Sequence, residues 1–93
     1  MTIEQFNAKL LAEHYGAAVA VDRAVGYAMG EHQHPFDVCA LITAGDITLV
    51  VDGASRHYRA GDVFRLPAGT RHLEAAGPQG VSYLSGRRPV AAT

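Results

Sequence analysis

Gly61-Asp62-Val63-Phe64-Arg65-Leu66-Pro67-Ala68-Gly69-Thr70-Arg71-His72 is the stretch on which the fold turns. Residues 63–66 form a short apolar run of strand character. Pro67 fixes its own φ, and Gly69 adopts backbone angles that other residues resist. Together they predict a turn that sends the chain back as a new strand, with His72 at its start.

A second cluster lies upstream, in Gly26-Tyr27-Ala28-Met29-Gly30-Glu31-His32-Gln33-His34. Residues two apart in a strand share a face, so His32 and His34 present both imidazoles to one side. Neutral imidazole is a common ligand for zinc, iron, copper and nickel. Taken alone, His-x-His is a weak signal, and such a pair on a surface strand is often no site at all.

Outward from these clusters, short apolar segments alternate with turn residues. Segments 18–21, 25–29, 38–43, 47–51, 55–59, 63–66, 72–75 and 81–84 read as strands. Ala44-Gly45-Asp46 is expected to separate two of them as a hairpin. Asp52-Gly53 is a strong hairpin signal, because both residues tolerate positive φ. Gly61-Asp62, Pro67-Ala68-Gly69 and Gly77-Pro78 mark further turns. Many short strands with frequent turns point to an antiparallel sandwich or closed barrel. Ahead of them, residues 2–15 read as a helix. Thr2 and Gln5 have capping-box spacing, Ile3, Phe6, Leu10 and Leu11 give an apolar face, and Gly16 supplies a stop. His14 is expected in solvent near the helix end. The layout expected is one domain over 1–93, with a helix at 1–16, a barrel at 17–88 and a tail at 89–93.

Composition narrows the class. A chain of 93 residues fits one domain with a limited core, so a homodimer that covers further apolar surface is expected. Hydrophobic residues at 48% and charged residues at 18% mark a globular chain. A net charge of -1 with no like-charge block gives no argument for nucleic acid or an anionic membrane. Cys39 is alone, which excludes an intramolecular disulfide and fits a reducing compartment. MTIEQFNAKL lacks a signal-peptide pattern, and no apolar run approaches the ~20 residues of a membrane span. A soluble, cytoplasmic protein is the expectation.

The two histidine clusters together resemble the two motifs of the cupin superfamily, which are small jelly-roll β-barrels. Gly26, His32, His34 and Gly45 match the first motif, and Gly61, Pro67, Gly69 and His72 match every spacing of the second. The resemblance runs from Gly26 to about Gly86. It implies an all-β, RmlC-like jelly-roll barrel behind a short N-terminal α-helix. It also implies a divalent metal ion (Fe, Mn, Ni or Zn) held by His32, His34 and His72.

One departure matters. Three residues after His34, where the family usually has Glu, stands Val38, which cannot ligate. The four-residue variant would use Cys39, but then the gap to Gly45 is one short. Cys39 could ligate as a thiolate, yet its parity turns it away from His34 unless a bulge intervenes. The site implied is three histidines with water or substrate in the open positions. Asp37 and Cys39 are the further candidates for a fourth ligand, and Cys39 reads more simply as a small buried hydrophobe. A cupin without the acid could also have lost its metal, leaving histidines that line a pocket or bond to one another.

Other residues carry weaker signals. Glu74 shares a face with His72 and is a candidate to orient a ligand histidine or accept a proton; an exposed charge at the barrel mouth is the alternative. Tyr27, also a catalytic candidate, is expected with Tyr58 and Tyr83 to pack in the barrel. Arg65 and Arg71 read either as surface charge or as a clamp for a carboxylate substrate. His57 and the pair Arg87-Arg88 read as exposed.

Cupins host oxygenases, isomerases, decarboxylases, sugar-binding modules and transcriptional sensors, so the fold does not settle function. The resemblance implies a metal-dependent enzyme, such as a dioxygenase or isomerase acting on a small organic molecule. A module that binds or senses a small ligand without turning it over is the alternative, and a barrel with relict histidines is the third.

Overall fold

The computed structural model describes residues 1–90. Helix α1 (Ile3–Ala12) precedes strands β1 (Val19–Arg23), β2 (Ala28–His32), β3 (Phe36–Val51), β4 (Ala54–Arg59), β5 (Val63–Leu66) and β6 (His72–Pro89). The capping box forms as expected. Gln5 N–H donates to the Thr2 hydroxyl at 3.1 Å, and Thr2 N–H donates to Gln5 Oε1 at 2.9 Å. The helix stops earlier than Gly16. His14, exposed, takes the left-handed conformation at φ 64°, and Tyr15 N–H closes the turn on the Leu10 carbonyl. Its apolar face is also narrower, because only one stripe meets the sheet. Phe6 and Leu10 are buried, while Ile3 and Leu11 stay 52% and 79% exposed.

Two long antiparallel strands, β3 and β6, form the spine. The first half of β3 pairs with β5 on one side and with the second half of β6 on the other, and β1 extends that sheet. The second half of β3 pairs with β4 and with the first half of β6, and β2 extends that one. The result is a jelly roll in which both spine strands cross from one sheet to the other.

The hairpin expected at Ala44-Gly45-Asp46 does not occur, nor does a chain reversal at Gly77-Pro78. Segments 38–43 and 47–51 are one strand, and so are 72–75 and 81–84. The long pairing between β3 and β6 carries each strand through the bend, and bulges between Ile42 and Ala44 and between Gly45 and Ile47 absorb it. The bulges also reset parity, so that Ile42 and Ile47, five apart, both face the core. Gly45 is needed there. Its φ is 70°, and a Cβ would lie 2.1 Å from the Gly80 carbonyl oxygen. Pro78 falls in the matching register jump of β6, where its missing N–H breaks no ladder. The hairpin at Asp52-Gly53 does form, with φ of 51° and 76°. Strand β2 begins later than expected, at Ala28, because residues 24–27 make a turn closed by Tyr27 N–H on the Ala24 carbonyl. Of the expected tail, Pro89 still pairs with Phe36, and 91–93 lie outside the described residues.

Alternation divides the core. Val38, Ala40 and Ile42 face into the barrel with Ile47, Leu49, Phe64, Leu66, Val81 and Tyr83. Cys39 and Leu41 face outward and are covered by Phe6, Leu10 and Tyr15. Helix α1 therefore seals the outer face of one sheet and leaves the barrel interior to the histidines.

Candidate metal centre

His72 opens β6 and pairs in register with His32, the last residue of β2. His34 lies past the strand end, in the segment leading to β3. The Pro67-Ala68-Gly69 turn that delivers His72 also clamps that segment. Gly69 N–H donates to the His34 carbonyl at 2.9 Å, and Ala68 N–H donates to the Asp37 carboxylate at 2.8 Å. The rings converge, with centroids 4.1 Å apart for His32 and His72, 5.2 Å for His32 and His34, and 5.4 Å for His34 and His72. One ligating atom from each lies within 4.8 Å of the other two.

The hydrogen bonds assign the tautomers. His72 Nδ1 lies 2.9 Å from the Thr70 carbonyl, and His32 Nδ1 lies 2.8 Å from the Gly30 carbonyl. A carbonyl only accepts, so each Nδ1 carries the proton and each Nε2 keeps a lone pair free to ligate. His72 is 1% exposed, and its Nε2 has no hydrogen-bond partner among the described residues. An unpaired buried polar atom costs about 1–3 kcal/mol. Imidazoles whose far nitrogens are anchored to backbone carbonyls are the usual form of histidine metal ligands. The donor set therefore fits a divalent ion. Burial, reinforced by His32 and His72, holds the His34 pKa below the usual 6.5, which keeps its ring neutral.

Glu74 and Tyr27 stand together beside the cluster. The Tyr27 hydroxyl donates to Glu74 Oε1 at 2.5 Å, and Glu74 Oε2 lies 3.7 Å from His72 Nε2. Burial and the Glu74 carboxylate push the Tyr27 pKa up to about 12, so the phenol keeps its proton. The Glu74 side chain is only 9% exposed; it is not a charge left out at the barrel mouth.

A cavity of ≈ 130 Å³ opens beside the histidines. Val21, Val38, Phe64 and Leu66 give it apolar walls; Tyr27, His32, His34 and Glu74 give it a reactive end; Arg23 and Arg87 line it as cations. Val38 does point inward at the position where the family's acid would stand, but contributes no donor. Neither further ligand candidate joins the cluster. Cys39 is fully buried on the helix side, and burial pushes its thiol pKa up. Asp37 is engaged by Ala68 N–H and the Arg88 guanidinium, which together hold its pKa below the usual range.

The expected arginines are spoken for. Arg65 makes a two-pronged pair with Glu13 at 2.8 and 3.0 Å, and Arg71 pairs with Glu31 at 2.9 Å. Tyr58 and Tyr83 pack around Phe64 as expected, and His57 is exposed and paired with Asp46. Of the Arg87-Arg88 pair expected to be exposed, Arg87 is exposed and Arg88 is partly buried, and each has a further role. Arg88 ties Asp37 to the Glu13 carbonyl, and Arg87 lines the cavity. Counting in twos from Tyr83 through Ser85 would have placed Arg87 on the inner face.

Residues 20–85 match the family model described as the cupin domain, and the chain belongs to the cupin family. Solved structures agree. A cupin 2 conserved barrel domain protein from Salinispora arenicola is 30% identical, with TM-score 0.69 over 78% of this chain and 62% of that one. The DMSP lyase DddQ from Ruegeria pomeroyi is 26% identical, with TM-score 0.70 over 82% of this chain and 39% of that one. A cupin superfamily protein from Desulfitobacterium hafniense, at 22% identity and TM-score 0.68, covers 76% of this chain and 64% of its own; it shows the fold alone. This chain thus spans less than two thirds of the length of these relatives. No curated protein matches it.

Proposed function

We propose that this cupin is a metal-dependent enzyme that holds one divalent ion on His32, His34 and His72 and acts on a small organic substrate, with dioxygenase chemistry the first to test. The observation that carries the reading is the buried, unpartnered Nε2 of His72, aimed at two more imidazoles. When bound, the ion supplies a Lewis-acid or oxygen-activating centre. The chain's own residues supply the rest. Backbone carbonyls of Gly30 and Thr70 fix two of the rings. Glu74, steadied by the Tyr27 hydroxyl, is placed to accept a proton from a ligand on the open side. Val38, Phe64 and Leu66 keep water from the chain of that ligand. That one structural neighbour is named a lyase supports catalysis over binding alone.

Metal analysis of protein purified without a nickel column is the test. Retained metal, and a melting temperature raised by Fe(II), Mn(II), Ni(II) or Zn(II), are expected. Protein that neither carries nor responds to any of them refutes the metal site. Oxygen uptake with diketones, thiols and hydroxy acids then separates turnover from the alternative of binding alone.

A further inference from the structure

Three of the residues lining the cavity have fixed charge: Arg23, Arg87 and Glu74. Arg23 sits 4.9 Å above the Tyr27 ring, whose hydroxyl donates to Glu74, and like Arg87 it makes no ion pair with a carboxylate among the described residues. Arg65, Arg71 and Arg88 each have a carboxylate partner, while Arg87 has none among the described residues. Arg56 and Arg59 of β4 also lack one, but they do not line this cavity.

The residue directly across from Arg87 is Val38, its register partner on β3. Opposed residues on antiparallel strands are side-chain neighbours, and opposite charges there attract. An acid at position 38 would therefore neutralise Arg87. Valine leaves the guanidinium free. Aromatic stacking holds it in place, with Arg87 4.5 Å from the Phe36 ring centre and Phe36 stacked 5.1 Å from His34. That column sets the guanidinium two ring-steps from the histidines. Ser85, on the same face of β6, adds a hydroxyl between Tyr83 and Arg87.

We propose that the cavity takes a small organic carboxylate, with its carboxylate on Arg87 and its other end toward the three histidines. The carboxylate seat stands without a metal; only the direction of the far end rests on the metal reading. Apolar cavities of comparable volume hold a molecule the size of benzene, so the enclosed part of the ligand is about six non-hydrogen atoms. The wall of Val21, Val38, Phe64 and Leu66 suits a short carbon chain. A guanidinium binds a carboxylate through paired N–H bonds, which a neutral amide does not reproduce.

Chemical-shift titration compares propionate and lactate with propionamide and lactamide, on EDTA-treated and on metal-loaded full-length protein. The carboxylates are expected to bind about tenfold or more tightly than their amides, the worth of one charge-assisted contact. Arg87→Gln should erase that preference, and in the EDTA-treated protein Val38→Glu should erase it by pairing with Arg87. Arg56→Gln removes the same charge outside the cavity and should leave the preference intact. Equal binding of acids and amides, no carboxylate binding at millimolar concentration, or a preference that survives Arg87→Gln overturns the proposal. So does equal weakening by Arg56→Gln, which would mean a general charge effect. If no metal binds but the Arg87-dependent preference remains, the metal reading falls and the carboxylate seat stands. If metal binds and the preference is absent, the reverse holds.

Discussion

Replacing His72 by Leu separates the two roles that a buried histidine can have. His72 is 1% exposed, so an ordinary core residue at this place would be costly to alter. Truncating a buried core side chain typically costs about 2–5 kcal/mol. The balance for His72 differs. Leucine has similar bulk, removes an Nε2 whose unpaired burial costs about 1–3 kcal/mol, and forfeits a bond from Nδ1 to the Thr70 carbonyl worth about 1 kcal/mol. The Thr70 carbonyl loses its histidine donor, which takes back part of the gain. Metal-free His72→Leu should therefore lie within about 1 kcal/mol of the wild type. The loaded proteins should differ sharply. A metal at 100 times its Kd stabilises the wild type by about 2.7 kcal/mol, and for a domain of this size each kcal/mol moves Tm by about 4–8 °C. The wild type should gain roughly 10–20 °C on loading and the variant close to nothing. Urea titrations in EDTA and thermal melts with added metal measure the two halves. A metal-free loss of core-residue size, or an equal metal-induced Tm rise in both proteins, would refute the reasoning.

Phe6→Ala empties a fully buried site under helix α1 and should cost about 3–5 kcal/mol in urea unfolding. Metal content should not change, because the helix covers the sheet face opposite the histidines. Gly45→Ala sets a methyl against the Gly80 carbonyl at positive φ, with backbone on both sides, and should cost more than about 3 kcal/mol by the same assay. Glu13 is held at a pKa of about 2, below its usual 4.5, by its hydrogen bonds to Arg65 and then Lys9. A lowered carboxylate pKa stabilises the fold above 4.5, and that contribution disappears as pH falls toward 2. Wild type should therefore melt above Glu13→Gln at pH 6, and the two Tm curves should merge by about pH 2; a constant gap would contradict the assignment.

Short-range spacing was readable because local chemistry enforces it. The capping box of Thr2 and Gln5, the Asp52-Gly53 turn and the turn that brings His72 back depend on neighbours within a few residues. The histidine cluster was readable only through the resemblance of the two motif spacings to those of cupins, since His32-x-His34 and His72 lie far apart along the chain. Strand continuity was not. A glycine reads alike in a turn and in a bulge, and only the partner strand made Gly45 a bulge within β3. The carboxylate partner of Arg65, 52 residues away at Glu13, left no local trace, and neither did the missing partner of Arg87. Along the chain, periodicity and turn chemistry determined short strands and turns, and the resemblance of the two motifs to those of cupins implied the barrel and its three imidazoles. The tertiary structure decided which charges are already satisfied and which remain for a ligand, because charge pairing acts across space and sets Val38, not an acid, opposite Arg87.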